Sequence, residues 1–552
     1  MTERSRRRAA FWAALALAAL HFVVLWVTAP SIGFVRDEGY YFKAAEQYFE
    51  WFEAFGEHGF GALSDSVIRK HFEYNSEHPA FPKLVQGGFH ALLHETLGVA
   101  DAAQGFRAAG FFFAALALLG TFALGLELYG AAVGWVAAAG LATMPRFFFD
   151  AHLATFDVPM TAAWVWSLWA FLRAWRQPSR GRVGLAGLVF GLALSTKLNA
   201  FFLPFVFAAV WLAEPPEALR VRRRPGPSGT VDWVLPGLPG PLVSVGLLGI
   251  AVFFAAWPYL WPDPVNRFGA YLRFHLGHEH YPISYFGELW VQPPFPLSFP
   301  WVMTALTVPA PWLVLGAFGL LRSAFRRWNG ATAVLVVGTF LPIAVIGLPN
   351  TPIFGGTKHW YTALPTLCVV AAALGLRGAQ ALKSRAKIPV ALSVIVWLAP
   401  GVAGAVRTHP FGIAYYNALA GGVRGAAELG MQRAFWGTVN RPLLPELVQR
   451  VPKGRVFFNR TNYDAYRMYR RVGVLPERGL RYASDARFAK AAFHFEQPEH
   501  GEAEAEIWST LGTRPVAGVY LDNVTLAQLY VKGLSDRPPS VAPTSTSTPA
   551  VP

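Results

Sequence analysis

Apolar runs long enough to cross a bilayer recur along this chain, and that recurrence limits its fold more than any other feature. A run from Ala9 to Ala29 follows Arg4, Arg6, Arg7 and Arg8. A hydrocarbon core needs about 20 such residues in a helix. Further runs are Phe106 to Leu126, Ala131 to Phe147, Val158 to Arg173, Val183 to Thr196, Leu198 to Ala213, Pro241 to Trp257, Trp301 to Leu321, Ala331 to Leu348, Trp360 to Leu376 and Ile388 to Val406. Eleven spans are expected, with the short pair flanking Lys197 open to a second reading as one broken hairpin at membrane depth. The first run is too long for a signal-peptide core and lacks a small-residue cleavage site, so it is read as an uncleaved anchor.

Charge placement supports this count. Of 552 residues, 54% are hydrophobic and 15% charged, with mean hydropathy +0.33, a membrane composition. The formal charge of +15 would suggest nucleic acid if it formed one patch. Instead the basic residues fall in clusters between runs: Arg173 to Arg182, Arg220 to Arg224, Arg322 to Arg327 and Arg377 to Lys387. The intervening loops hold isolated basic residues such as Arg146, Lys197, Arg267, Arg273 and Lys358. This alternation puts the N-terminus in the cytoplasm and the C-terminal part outside. Cys368, the one cysteine, lies within an apolar run, so no intrachain disulfide or Cys-based metal site is expected.

Residues 1–406 therefore read as a transmembrane domain whose outside loop 30–104 carries interfacial helices. Aromatic and acidic residues alternate at helical spacing from Tyr40 to Phe55, as in a helix lying along a membrane surface. Residues 407–534 turn mixed in character, with strand-like Arg455 to Phe458, helix-like Tyr463 to Arg471 and strand-like Val516 to Leu521, and read as a small α/β extracytoplasmic domain. Residues 535–552, rich in Pro, Ser and Thr, read as a disordered tail.

The outside face collects the polar candidates: Asp37 and Glu38; Glu77, His78 and Lys83; Asp150, His152 and Asp157; Lys358 and His359. Ionisable groups beside membrane spans are site hypotheses. Each has a plainer role to set against this. Asp37 and Glu38 could cap the helix that follows, Asp157 could cap the helix from Val158, and a lysine could snorkel. Together they suit transfer of a group from a phosphate-bearing lipid, a carboxylate taking the acceptor's proton and lysines neutralising the leaving phosphate. The acids and histidines could also hold a divalent metal, although no tight His-x-x-x-His spacing occurs. A transporter of a lipid-linked or small polar substrate is the alternative. Its polar groups should lie at mid-membrane, where these spans are poor in acids.

Several segments resemble the GT-C-fold membrane glycosyltransferases of the protein O-mannosyltransferase and lipid A aminoarabinose transferase superfamily. They are Asp37-Glu38 after the first span; Glu77-His78-Pro79-Ala80-Phe81-Pro82-Lys83, similar to an H-P-P-L-x-K segment but with Ala80 for the second proline; Asp157-Val158-Pro159; Gly191 to Lys197; Lys358-His359-Trp360-Tyr361 with Pro365; and Tyr415-Tyr416-Asn417 with Gly421 and Gly422. The resemblance implies a bacterial enzyme of the inner membrane, its C-terminal domain periplasmic. It would move a sugar from a polyprenyl-phosphate donor to a protein, lipid A or envelope-glycan acceptor, with no certain cofactor. Asp37 would be the general base and Glu38 would position it or the acceptor. His78, Lys83, Asp157, Lys358 and His359 would line the substrate cavity.

Overall fold

The computed structural model describes residues 3–215, 222–225, 231–234, 239–325, 328–353, 355–434, 437–534 and 540–541. The basic residues Arg220, Arg326 and Arg327 of the sequence argument lie outside this set, as does the 535–552 tail apart from a two-residue strand, Ser540–Val541.

Each of the eleven expected spans contains a helix among the described residues. Four are long and apolar enough to cross a bilayer alone: Arg8–Ser31, Ala102–Tyr129, Gly356–Ala386 and Val390–Thr408. Two expected spans prove to be broken. The run from Ala131 ends as a helix at Ala142, and Pro145 opens a separate short helix, Pro145–Asp150. Pro309 likewise divides Phe299–Thr307 from Ala310–Ala324. Proline lacks the N–H that a helix interior requires, and apolarity alone does not report that loss. The runs beside Lys197 form Arg180–Leu194 and Leu203–Ala213, with a non-α segment between them that carries the lysine.

Close approach of small residues packs the bundle. A Cβ on Gly191 would lie 2.6 Å from the Gly249 carbonyl oxygen, and one on Gly187 would lie 2.4 Å from the Ser244 hydroxyl. Helices Arg180–Leu194 and Gly240–Ala255 thus meet backbone to backbone through a small-x-x-x-small stripe, the contact that replaces hydrophobic drive in lipid.

One face of the bundle carries the helix Arg36–His58, whose inner side buries Tyr41, Phe42, Ala45, Tyr48 and Trp51. Above it sits a six-stranded mixed sheet in the order Ser540–Val541, Ala517–Leu521, Val524–Val531, Ala491–His494, Gly454–Phe458, Leu480–Ala483. Helix Tyr463–Arg471 joins this sheet to the membrane part. Asn462 caps it by accepting from the Ala465 N–H at 2.7 Å, and the same side chain donates to the Arg36 carbonyl at 2.8 Å. The Tyr469 hydroxyl accepts from the Phe34 N–H at 2.7 Å. Phe34, Phe42 and Phe106 share one apolar core with Val456, Phe458 and Tyr466. The sheet domain therefore clamps the start of the Arg36–His58 helix.

Candidate active site

Asp37 and Glu38 occupy adjacent positions in the first turn of Arg36–His58, and a helix turns adjacent residues about 100° apart. They consequently face different surroundings. Glu38 is fully buried. Its Oε1 accepts from Arg107 Nε at 2.7 Å and from the Ala154 N–H at 2.9 Å. Its Oε2 accepts from Arg107 Nη2 at 2.7 Å and from the Val35 N–H at 3.0 Å. Four donors fill the four lone-pair positions of the carboxylate. The bond to Val35 is the backward reach of a capping box, so the plain capping role suits Glu38. With its oxygens taken, it can position Asp37 only by holding the helix start.

Asp37 faces the other way. Lys358 Nζ donates to its Oδ2 at 3.3 Å, and its side chain keeps 24% exposure where that of Lys358 has 4%. A second pair lies beside the first: Lys197 Nζ donates to Asp157 Oδ1 at 2.7 Å. The Asp157 carboxylate makes no cap on its own helix, because the lysine at the break in the facing hairpin takes it. Lys358 lies within the fields of Asp157 and Lys197 as well as Asp37. Two carboxylates and two ammoniums thus gather on one face, with Asp37 the most open carboxylate of the cluster. Asn199, two residues past Lys197, donates to the His359 carbonyl at 2.9 Å and ties the two loops together.

His78 flanks this cluster. Its ring lies 5.4 Å from that of Phe156, 5.9 Å from Tyr41 and 5.6 Å from His275. Burial first, then the charges of His275 and Lys83, press it well below the usual imidazole range, so it is neutral. Lys83 is sealed away. Its ammonium, fully buried, donates to the carbonyls of Asn75 at 2.6 Å and His78 at 2.9 Å and to the Tyr48 hydroxyl at 2.9 Å. Its three protons are committed, so it braces the loop that carries His78 instead of facing a phosphate. Burial holds it well below the usual lysine value. Lys83→Met is expected to leave these carbonyls unpaired and cost about 1–3 kcal/mol per orphaned group. Thermal unfolding would register that loss, while the donor KM of the folded fraction should stay within about twofold, as for a residue outside the binding surface.

Residues 77–231 match the sequence model of the family described as dolichyl-phosphate-mannose-protein mannosyltransferase. ArnT from Cupriavidus metallidurans in the apo state is similar in structure, with a TM-score of 0.50 at 15% identity, covering 95% of this chain and 98% of that one. The chain has the GT-C fold. ArnT bound to undecaprenyl phosphate gives 0.48 at 15% identity, over 95% and 99% of the two chains. The Archaeoglobus fulgidus oligosaccharyltransferase in the apo form gives 0.47 at 14%, over 96% and 75%. Comparison with curated protein sequences finds no match.

Two cations that pair with the candidate acids, Arg107 and Lys197, were not among the candidate site residues. Arg107 stands alone in an apolar span and Lys197 stands at the break of a hairpin. An ionisable group at membrane depth calls for a partner, and that was the available signal for both. Its partner in each case is far off in sequence. His152 falls outside the cluster, its ring nitrogens tied to the Thr28 hydroxyl at 2.7 Å and the Phe148 carbonyl at 2.8 Å. Glu77, His78 and His275 neighbour one another, with His275 Nε2 3.0 Å from the Glu77 carbonyl oxygen. Among the described residues no three His, Cys, Asp or Glu side chains form a group that could hold a metal ion.

Asp150 supplies a pH-sensitive prop below the site. Its Oδ2 accepts from the Tyr361 hydroxyl at 2.5 Å. Burial pushes its carboxyl up to about 7, with the Tyr361 hydrogen bond opposing and the charge of Asp157 adding. A carboxyl raised on folding favours the fold in its protonated form. Its contribution is complete below the unfolded value of about 4 and is lost as the pH rises through about 7. The melting temperature is therefore expected to fall between pH 5 and 8, and less so in Asp150→Asn, where the amide stays neutral.

Proposed function

We propose that the Asp37, Lys358, Asp157 and Lys197 cluster transfers a sugar from a polyprenyl-phosphate donor to an extracytoplasmic acceptor, with Asp37 as general base. The carrying observation is the disposition of the acids: Glu38 is saturated by four donors and Asp157 is held by Lys197, which leaves Asp37 as the open carboxylate beside a lysine. In the reaction an Asp37 carboxylate oxygen takes the proton of the acceptor hydroxyl or amine. That acceptor atom forms a bond to the anomeric carbon, and the bond from that carbon to the phosphate oxygen breaks with its electron pair. Polyprenyl phosphate leaves with the added negative charge, which Lys358 and Lys197 offset. One displacement of this kind inverts the anomeric centre.

The family whose model matches 77–231 is described by a dolichyl-phosphate-linked sugar, and that stretch contains His78, Asp157 and Lys197. This supports a polyprenyl phosphate as the lipid carrier. A bacterial inner membrane with the cluster facing the periplasm agrees with the basic clusters of the opposite loops. The acceptor stands as protein, lipid A or envelope glycan.

The test incubates the purified full chain with radiolabelled polyprenyl-phosphate sugars and membrane-extract acceptors. Turnover of one donor with an inverted product supports the proposal. A folded protein that turns over none of them sinks it.

A further inference from the structure

On the side of the membrane away from the active-site cluster, a groove of about 750 Å³ opens between helices Ala310–Ala324, Leu364–Ala386 and Val390–Thr408. Its wall is largely apolar, with Leu315, Leu382, Val396 and Trp397; its polar groups are the Ser393 hydroxyl and two guanidiniums, Arg322 and Arg377. Arg377 lies about 20 Å along its helix from Leu364, beyond which the Lys358 segment begins. That distance places the arginines toward the opposite headgroup region.

We infer that this groove is a binding site for one anionic phospholipid of that leaflet, its phosphate on Arg322 and Arg377 and an acyl chain along the apolar wall. Any lipid-facing surface is covered by lipid, and an arginine at a helix end can snorkel to any phosphate. Three observations separate this groove from that background. No Asp or Glu stands anywhere between Glu288 and Glu428, so the three helices and their connecting loops carry no acid of their own. Among the described residues, no carboxylate lies within ion-pair distance of Arg322 or Arg377, and Lys383, Arg385 and Lys387 extend the positive charge from the same helix end. Finally, Gly378 lines the groove, exposed and mid-helix, where an added Cβ would meet nothing within 4 Å. Glycine is unfavourable in a helix interior. Here no neighbour demands it, and its effect is to keep the groove open next to Arg377. A basic pocket between transmembrane helices at a headgroup level is the arrangement that selects acidic lipids.

The full chain would be reconstituted in nanodiscs of equimolar phosphatidylglycerol and phosphatidylcholine, then stripped in detergent and weighed by native mass spectrometry. The wild type is expected to retain one phosphatidylglycerol in preference to phosphatidylcholine by about tenfold or more, as two charges near the surface allow. Arg322→Gln with Arg377→Gln should abolish the preference. Gly378→Leu fills open space and improves helix propensity, so it should keep the melting temperature and lose the retained lipid. Equal retention of both lipids by the wild type overturns the site. So does a preference that survives the double substitution, or a dimer that Gly378→Leu dissociates.

Discussion

Asp37→Asn is expected to lower kcat for sugar transfer by about 10²- to 10⁴-fold, the range that a positioned base contributes. The amide is the same shape and still accepts from Lys358, but it cannot take the acceptor's proton. The side chain is partly open to solvent and the buried Lys358 keeps the field of Asp157, so the melting temperature should fall only modestly. Donor KM should change by only a few-fold, because the loss is confined to the transition state. Steady-state kinetics with a radiolabelled donor check both numbers. Full activity in this variant would remove Asp37 from the mechanism.

Its neighbour should behave in the opposite way. Glu38→Ala leaves the Arg107 guanidinium buried without its carboxylate and leaves the Ala154 and Val35 N–H groups unpaired. Breaking one partner of a buried ion pair costs about 3–5 kcal/mol, so the variant should unfold at a much lower temperature or fail to accumulate. Arg107 would retain only the carbonyls of Ala29, Ile32 and Gly33. Arg107→Met should be comparably destabilising, and the Glu38→Ala, Arg107→Met double variant should lose less than the two singles summed, since one interaction is removed in both. Thermal unfolding of the four proteins in detergent measures that coupling. A near-zero coupling would show that the buried pair does not hold the helix start.

The contrast between these two adjacent acids marks the boundary of what sequence reasoning can reach. A pair of acids after a span reads as one motif, and both candidates, cap and catalyst, are visible in it. Which acid takes which role depends on partners at Arg107 and Lys358, 69 and 321 residues away. Lys83 carries the same lesson. A lysine in a segment resembling H-P-P-L-x-K looks like a phosphate ligand, yet the Asn75 to His78 turn folds back over it and closes its donors. Asp157 could be read as a cap or as a cavity residue, and it meets Lys197 across the bundle.

The sequence by itself determined that the chain is a many-span helical membrane protein, because the length of an apolar run is a local property that the bilayer reads directly. It grouped the polar candidates on one face of the membrane part, because basic clusters alternate between loops in one dimension. The ordered motifs from Asp37 to Gly422 pointed to the GT-C fold. Only the tertiary structure decided that Asp37 is the open carboxylate, that Glu38 and Lys83 are sealed structural ties, and that Arg107 and Lys197 are the partners of Glu38 and Asp157. Those outcomes turn on which buried charge reaches which partner. A buried charge must be matched within a few ångströms, and such a match is made between segments that only the packed bundle brings together.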